Sequence, residues 1–207
     1  MNRERRRVLE SVIDELLSPS TTGRVILAID GIDGAGKTVF ADDLALVMRE
    51  RGRAVFRASI DGFHRSRAQR YARGPESPEG FYLDSYDYAT FRRVLIEPFR
   101  MGGSTAFVPA VFDVDRDAWV EPVWLTGPAD AVLIVDGIFL NRPELRHLWN
   151  VSVWLDTTFE VAAERMARRD GSTTVKPRYR NGQALYLADA DPVAAASVVI
   201  DNNSPAY

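Results

Sequence analysis

The sequence predicts an α/β protein in which a parallel sheet is covered by helices on both faces. Three observations carry this expectation. Near-continuous apolar runs of strand length recur along the chain, and several are followed by stretches with apolar residues at helical spacing. Five of the runs also lead to an aspartate, at Asp30, Asp61, Asp136, Asp156 and Asp201. Strands buried on both faces read as unbroken apolar runs, whereas half-exposed strands alternate. Such runs alternating with amphipathic helices define the α/β class.

The elements follow in order. Val8, Leu9, Val12, Ile13, Leu16 and Leu17 fall on one helical face, and Ser18-Pro19 stops that helix. Its Arg3, Arg5, Arg6 and Arg7 read as a solvated face. VILAID (25–30) is a buried-strand pattern, and GIDGAGKT leads from it into a helix that turns Phe40, Leu44, Val47 and Met48 inward and ends at Gly52. AVFRASI (54–60) is the next strand. AVLIVD (131–136) and VSVWLD (151–156) are two more, the latter running into the helical TTFEVAAERMARRD, and SVVID (197–201) is the last. Between them, residues 64–128 are less regular and rich in Tyr, Arg, Asp, Gly and Pro, with one helix expected from Tyr88 to Arg100 and Pro98 near its end. Such an insert between core strands is a candidate substrate-binding region. No internal repeat is visible.

Bulk properties narrow the classes. The chain has 207 residues, 46% apolar and 27% charged, which is ordinary for one soluble domain spanning 1–207. A net charge of −3 argues against nucleic acid as a partner. The absence of cysteine excludes disulfides and thiolate metal sites and fits a reducing, cytoplasmic setting. Apolar runs no longer than AVLIV (131–135) are far too short to span a membrane, and no apolar stretch follows the first arginines as a secretory signal would need. With His64 and His147 the only histidines, neither a histidine metal cluster nor a histidine triad is available.

The strongest single signal is Gly31-Ile32-Asp33-Gly34-Ala35-Gly36-Lys37-Thr38, which fits G-x-x-x-x-G-K-[ST] between an expected strand and an expected helix. Glycines let backbone N–H groups turn in around phosphate oxygens, and the helix N-terminus adds a favourable field. The expected nucleotide-binding set is Gly31, Asp33, Gly34, Ala35, Gly36, Lys37, Thr38 and Val39. Lys37 would reach the β- and γ-phosphates of a bound nucleoside triphosphate, and the Thr38 hydroxyl would ligate Mg²⁺.

In doubly wound sheets ligands sit beyond the carboxyl ends of the strands. Most aspartates there are turn formers or helix caps, and Asp30, Asp156 and Asp201 are read that way. Asp136 ends the most apolar strand and is the expected metal-side carboxylate. Asp61 reads equally as a turn residue or as the base for an acceptor hydroxyl. Arg165, Arg168 and Arg169 lie on one side of a helix at i, i+3 and i+4, as a charge-stabilising lid requires.

GIDGAGKT, SIDGFHR, SYDYATF, VFDVDRD, LIVDGIFL, RMARRD and SVVIDNN occur in the order seen in uridine kinases and their relatives. The chain resembles this family from Val25 to Asn203, most of all the short uridine kinase-like proteins of bacteria, and pantothenate kinase shares the DGF and SYD motifs. The resemblance implies a P-loop NTPase fold, three-layer α/β/α, with a five-stranded parallel sheet and a short lid at about 165–183. It implies transfer of the ATP γ-phosphate to a primary hydroxyl of a small molecule, with Mg²⁺. Asp61 takes the position of the carboxylate that handles the acceptor hydroxyl, Asp84 that of a ribose-binding aspartate, and Arg169 that of a lid arginine; Arg165 is one position displaced from another. His64 stands where uridine kinases usually have tyrosine, and Phe112 and Asp117 where they have an aromatic–histidine pair that recognises the pyrimidine. Asp136 replaces the usual glutamate. The alternatives kept open are pantothenate or another small metabolite as acceptor, and an ATP-binding regulatory protein without catalysis. A GTPase would need an NKxD signature, which is absent. Oligomeric state is left open, a homo-oligomer included.

Overall fold

The computed structural model describes residues 3–16, 23–171 and 176–203. Helix α1 (Arg3–Leu16) buries Leu9, Val12 and Ile13; Leu17 and the Ser18-Pro19 stop lie outside the described residues. Strand β1 (Val25–Asp30) is buried throughout, and the glycine-rich turn after it opens α2 (Lys37–Glu50). β2 (Val55–Ser59) leads into a single 3-10 turn, Ile60–Phe63.

The expected irregular stretch contains more helix than its composition suggested. It holds α3 (Arg67–Arg70), capped by Ser66, and α4 (Pro78–Asp84), capped by Ser77 with proline at the first turn. The expected helix at 88–100 is present as α5 (Tyr88–Phe91), a π-helical segment (Arg92–Ile96) and α6 (Glu97–Met101). Pro98 has no N–H to offer the carbonyl four residues earlier, and Val94 O instead accepts from Val108 N at 2.8 Å. The wide turn thus accommodates the proline and ties the helix to the following segment.

A two-residue hairpin, β3 (Phe112–Asp113) with β4 (Ala118–Trp119), precedes β5 (Val132–Asp136) and β6 (Val151–Asp156). α7 (Phe159–Asp170), α8 (Pro177–Ala190), α9 (Pro192–Ala195) and β7 (Val198–Asp201) complete the chain.

The five long strands form one parallel sheet in the order β2-β5-β1-β6-β7, within a three-layer α/β/α P-loop fold. All five were legible as apolar runs, and their bounds differ from the expected ones by one residue at most. Register brings the carboxyl ends together: Asp136 pairs with Ile29 of β1 on one side and Ser59 of β2 on the other. The P-loop, Asp61 and Asp136 therefore open onto one crevice, where α/β sheets bind ligands.

Candidate active site

The loop after β1 has the backbone its motif requires. Gly34 and Gly36 adopt φ of 80° and 87°, and a Cβ on Gly34 would sit 2.5 Å from Ala162 O of α7. The N-terminus of α2 has no side-chain cap, so its first N–H groups are left to the loop's concavity. Lys37 Nζ folds onto the loop, donating to Ile32 O at 2.8 Å. Asn202, just past β7, donates Nδ2 to Ala35 O at 2.6 Å. Arg165 of α7 donates to Asn202 O at 2.7 Å and to Ala35 O at 3.4 Å. From α8, Gln183 exchanges hydrogen bonds with Asp33, accepting from its backbone N at 2.8 Å. Burial pushes the Asp33 carboxyl up, against the pull of the Lys37 charge.

Asp30 does more than open the loop. Its buried carboxylate accepts from Gly31 N at 2.8 Å, Asn141 N at 2.8 Å, Asn141 Nδ2 at 2.9 Å and the Tyr186 hydroxyl. The base of the P-loop is thereby fastened to the segment after β5 and to α8.

Thr38 and Asp136, the two residues expected on the metal side, are in direct contact. Thr38 Oγ1 donates to Asp136 Oδ2 at 2.7 Å, and Arg57 Nη2 holds Oδ1 at 2.8 Å. Arg57 also reaches Asp42 at 3.0 Å, so the carboxylate is pinned from β2. Among the described residues no cluster of three or more carboxylates or histidines could hold a metal alone. Mg²⁺ is commonly bound by one or two carboxylates plus substrate phosphates, and one hydroxyl beside one carboxylate at the P-loop suits that arrangement. Gly137, next in chain, has φ 154°, and any Cβ there would lie 2.2 Å from Ile60 Cγ2.

Asp61 projects from the 3-10 turn with its side chain 61% exposed, and the Tyr86 hydroxyl donates to Oδ1 at 2.9 Å. Burial and the Asp61 charge push the Tyr86 phenol well above its ordinary value, so it remains a donor. The turn is strapped to the SYD segment by Arg65 N to Ser85 O at 2.9 Å and Asp87 N to Phe63 O at 2.8 Å. His64 packs 4.5 Å from the Tyr86 ring with Nδ1 2.8 Å from Asp61 O, and burial lowers its pKa.

These groups share one cavity of about 780 Å³, whose wall includes Asp33, Gly34, Gly36, Lys37, Thr38, Val39, Asp61, His64, Asp136, Arg165 and Arg169. Gly31 and Ala35, also expected in the nucleotide-binding set, do not line it. Three expected acceptor residues do not reach the wall. Asp84 is taken by Arg73 at 2.7 Å, and its neighbours Phe81 and Ser85 line the cavity instead. Phe112 is buried edge-on against Trp119. Asp117 accepts from Arg67 N at 2.7 Å and Arg70 at 3.3 Å, and from that hairpin region it is Val114 that lines the cavity.

One expectation is corrected. Arg5 is not on a solvated face: it is 4% exposed, donates to Asp43 at 2.6 Å, and lines the cavity beside the P-loop. Its signal was in the periodicity, since Arg5 lies four residues before Leu9 on the apolar face of α1. Arg57, Tyr86, Asn202 and the pairs Arg70-Tyr71 and Arg178-Tyr179 were also missed as site residues. Only Tyr86 and Asn202 lay within the motifs singled out, SYDYATF and SVVIDNN.

Fold and loop together define a P-loop, nucleotide-binding α/β protein. No family model matches the chain. It is 25% identical to a uridine kinase of Leuconostoc citreum (strain KM20) over 178 residues, 82% of this chain and 79% of that protein. A solved structure described as a possible uridine kinase from Bacillus stearothermophilus superposes with a TM-score of 0.77 at 25% identity, covering 96% of this chain and 100% of that one. D-glycerate 3-kinase from Cryptococcus neoformans shares the fold, with a TM-score of 0.59 at 11% identity over 92% of this chain and 89% of that one. In sequence and structure the likeness is to uridine kinase-like P-loop kinases.

Proposed function

We propose that this chain transfers the γ-phosphoryl group of ATP to a primary hydroxyl of a small molecule, with a nucleoside as the leading acceptor. The observation that carries the reading is the exposed, Tyr86-oriented Asp61 carboxylate, on the same cavity wall as Lys37, Thr38 and Asp136. A base, a phosphate cradle and a metal-side carboxylate on one crevice are what phosphoryl transfer needs.

In this proposal the loop N–H groups and Lys37 hold the phosphates, and Thr38 with Asp136 holds Mg²⁺. When bound, Mg²⁺ neutralises charge on the β- and γ-phosphate oxygens. Asp61 orients the acceptor hydroxyl and takes its proton as the oxygen–phosphorus bond forms and the bond to the leaving ADP breaks. Arg165 and Arg169 offset charge on the migrating group. The whole of 1–207 acts as one domain in a cytoplasmic setting, with 64–128 shaping the acceptor side and 165–183 the lid. Among the described residues no helix is long and apolar enough to cross a membrane.

A second acceptor class is favoured by one observation. The positions at which a pyrimidine would be recognised, Phe112 and Asp117, are engaged by Trp119 and Arg67 and do not line the cavity. That supports pantothenate or another small metabolite over uridine. The test is ADP release from Mg-ATP across nucleosides, pantothenate and sugars. Stimulation by any hydroxyl acceptor, lost in Asp61→Asn, supports the kinase reading. A purified protein that binds ATP yet yields no ADP with any acceptor is instead a nucleotide-binding regulator.

A further inference from the structure

Beside this cavity lies a second chamber of about 630 Å³, the two sharing Tyr71, Lys176, Arg178 and Tyr179 as lining residues. Two Arg-Tyr dipeptides from distant parts of the chain meet at this junction. Arg178 sits 4.5 Å over the Tyr71 ring, with Arg67 and Arg70 at 5.7 and 5.8 Å from the same ring. Burial, and after it the neighbouring Tyr71 hydroxyl, push the Tyr179 phenol above its ordinary value.

The charge of this chamber is one-sided. Arg67, Lys176 and Arg178 line it, and Glu76 is the one carboxylate among its described lining residues. The buried Arg178 guanidinium is satisfied by backbone carbonyls, Ser77 O and Arg70 O at 2.8 Å and Gly74 O at 3.1 Å, which leave its charge unneutralised. Lys176 is exposed, and neither it nor Arg67 nor Arg178 has a carboxylate ion-pair partner among the described residues. The carbonyl clamp accounts for Arg178 as a structural residue. It does not account for two further cations aimed at the same space, where like charges repel and raise the cost of leaving the chamber empty.

We propose that the phosphoryl acceptor carries an oxyanion, a carboxylate or a phosphate, remote from its reacting hydroxyl, and that this group binds in the Lys176–Arg67–Arg178 chamber while the hydroxyl meets Asp61. Lysine supplies a mobile point charge to such a group, and the arginines, ordered by stacking on Tyr71, supply a fixed one. The inference rests on the kinase reading above and names its substrate class.

The test is ADP release from Mg-ATP by the full chain with matched acceptors: glycerate against glycerol, pantothenate against panthenol, and a nucleoside 3′-monophosphate against its nucleoside. The anionic member of at least one pair should act at a KM at least about tenfold below its neutral partner. Lys176→Gln and Arg67→Gln should each raise that KM several-fold, with kcat falling far less than KM rises, and added salt should do the same to the native chain. The two exposed substitutions spare the Arg178 clamp, so folding is preserved. The carboxylate and phosphate pairs tell the two sources of charge apart. Equal or better turnover of neutral acceptors, unmoved by Lys176→Gln, overturns the oxyanion assignment and leaves the kinase reading standing. No ADP from any pair overturns both.

Discussion

Asp61→Asn isolates the proposed base from its scaffold. The side chain is largely exposed and held by one hydroxyl, Tyr86 at 2.9 Å, which can donate equally to an amide oxygen. Losing the charge should therefore cost the fold less than about 1 kcal/mol. General-base catalysis contributes about 10²–10⁴ in rate, or about 3–5 kcal/mol of barrier. The variant should keep its ATP affinity within about threefold while acceptor-dependent kcat falls at least about a hundredfold. Tyr86→Phe is the graded companion. A hydrogen bond to a charged group is worth about 1.5–3 kcal/mol, and the exposure of Asp61 points to the low end, so kcat should drop about tenfold. Calorimetry with a non-hydrolysable ATP analogue measures the first quantity, and coupled ADP detection with the best acceptor measures the second. Full turnover in Asp61→Asn would refute the base assignment. A Tyr86→Phe loss equal to that of Asp61→Asn would mean that position, rather than proton acceptance, sets the rate.

Other perturbations probe the frame around that site. Lys37→Ala should weaken ATP binding at least about tenfold, since a charge-assisted contact to phosphate is lost; unchanged affinity by calorimetry would contradict the phosphate-loop assignment. Asp136→Asn should raise the Mg²⁺ needed for half-maximal activity and, by loosening Arg57, lower stability by about 1–2 kcal/mol in urea unfolding. Gly34→Ala meets both the φ of 80° and Ala162 O, so at least about 2 kcal/mol and about 4–8 °C of thermal midpoint should be lost. His64 has its pKa lowered by burial, so its contribution to stability is full above the ordinary histidine value and is lost as pH falls through the lowered one. Unfolding at pH 7.5 and 5 should therefore show the native chain losing stability relative to His64→Gln on acidification.

Much of the site was legible because its chemistry is local. The GIDGAGKT loop needs glycines, a lysine and a threonine at fixed offsets, and backbone geometry follows from those residues alone. The strand ends were legible because buried parallel strands are unbroken apolar runs, and that is why Asp61 and Asp136 were found. Partnership across the sheet was not legible. Arg57 is one arginine among many in the sequence, and only the register of β2 against β5 brings it to Asp136. Asp84 and Asp117 satisfy themselves with nearby arginines, a competition that residue type cannot forecast.

By itself, then, the sequence determined the sheet, the phosphate loop and the carboxylates at its rim, since each is encoded by residues close in the chain. The tertiary structure alone decided which arginines are buried, that Asp30 anchors α8 through Tyr186, and that two Arg-Tyr dipeptides over a hundred residues apart line one cavity. Those outcomes depend on which side chains are brought close enough to neutralise, stack on or desolvate one another. Contacts between distant segments leave no periodic trace along the chain.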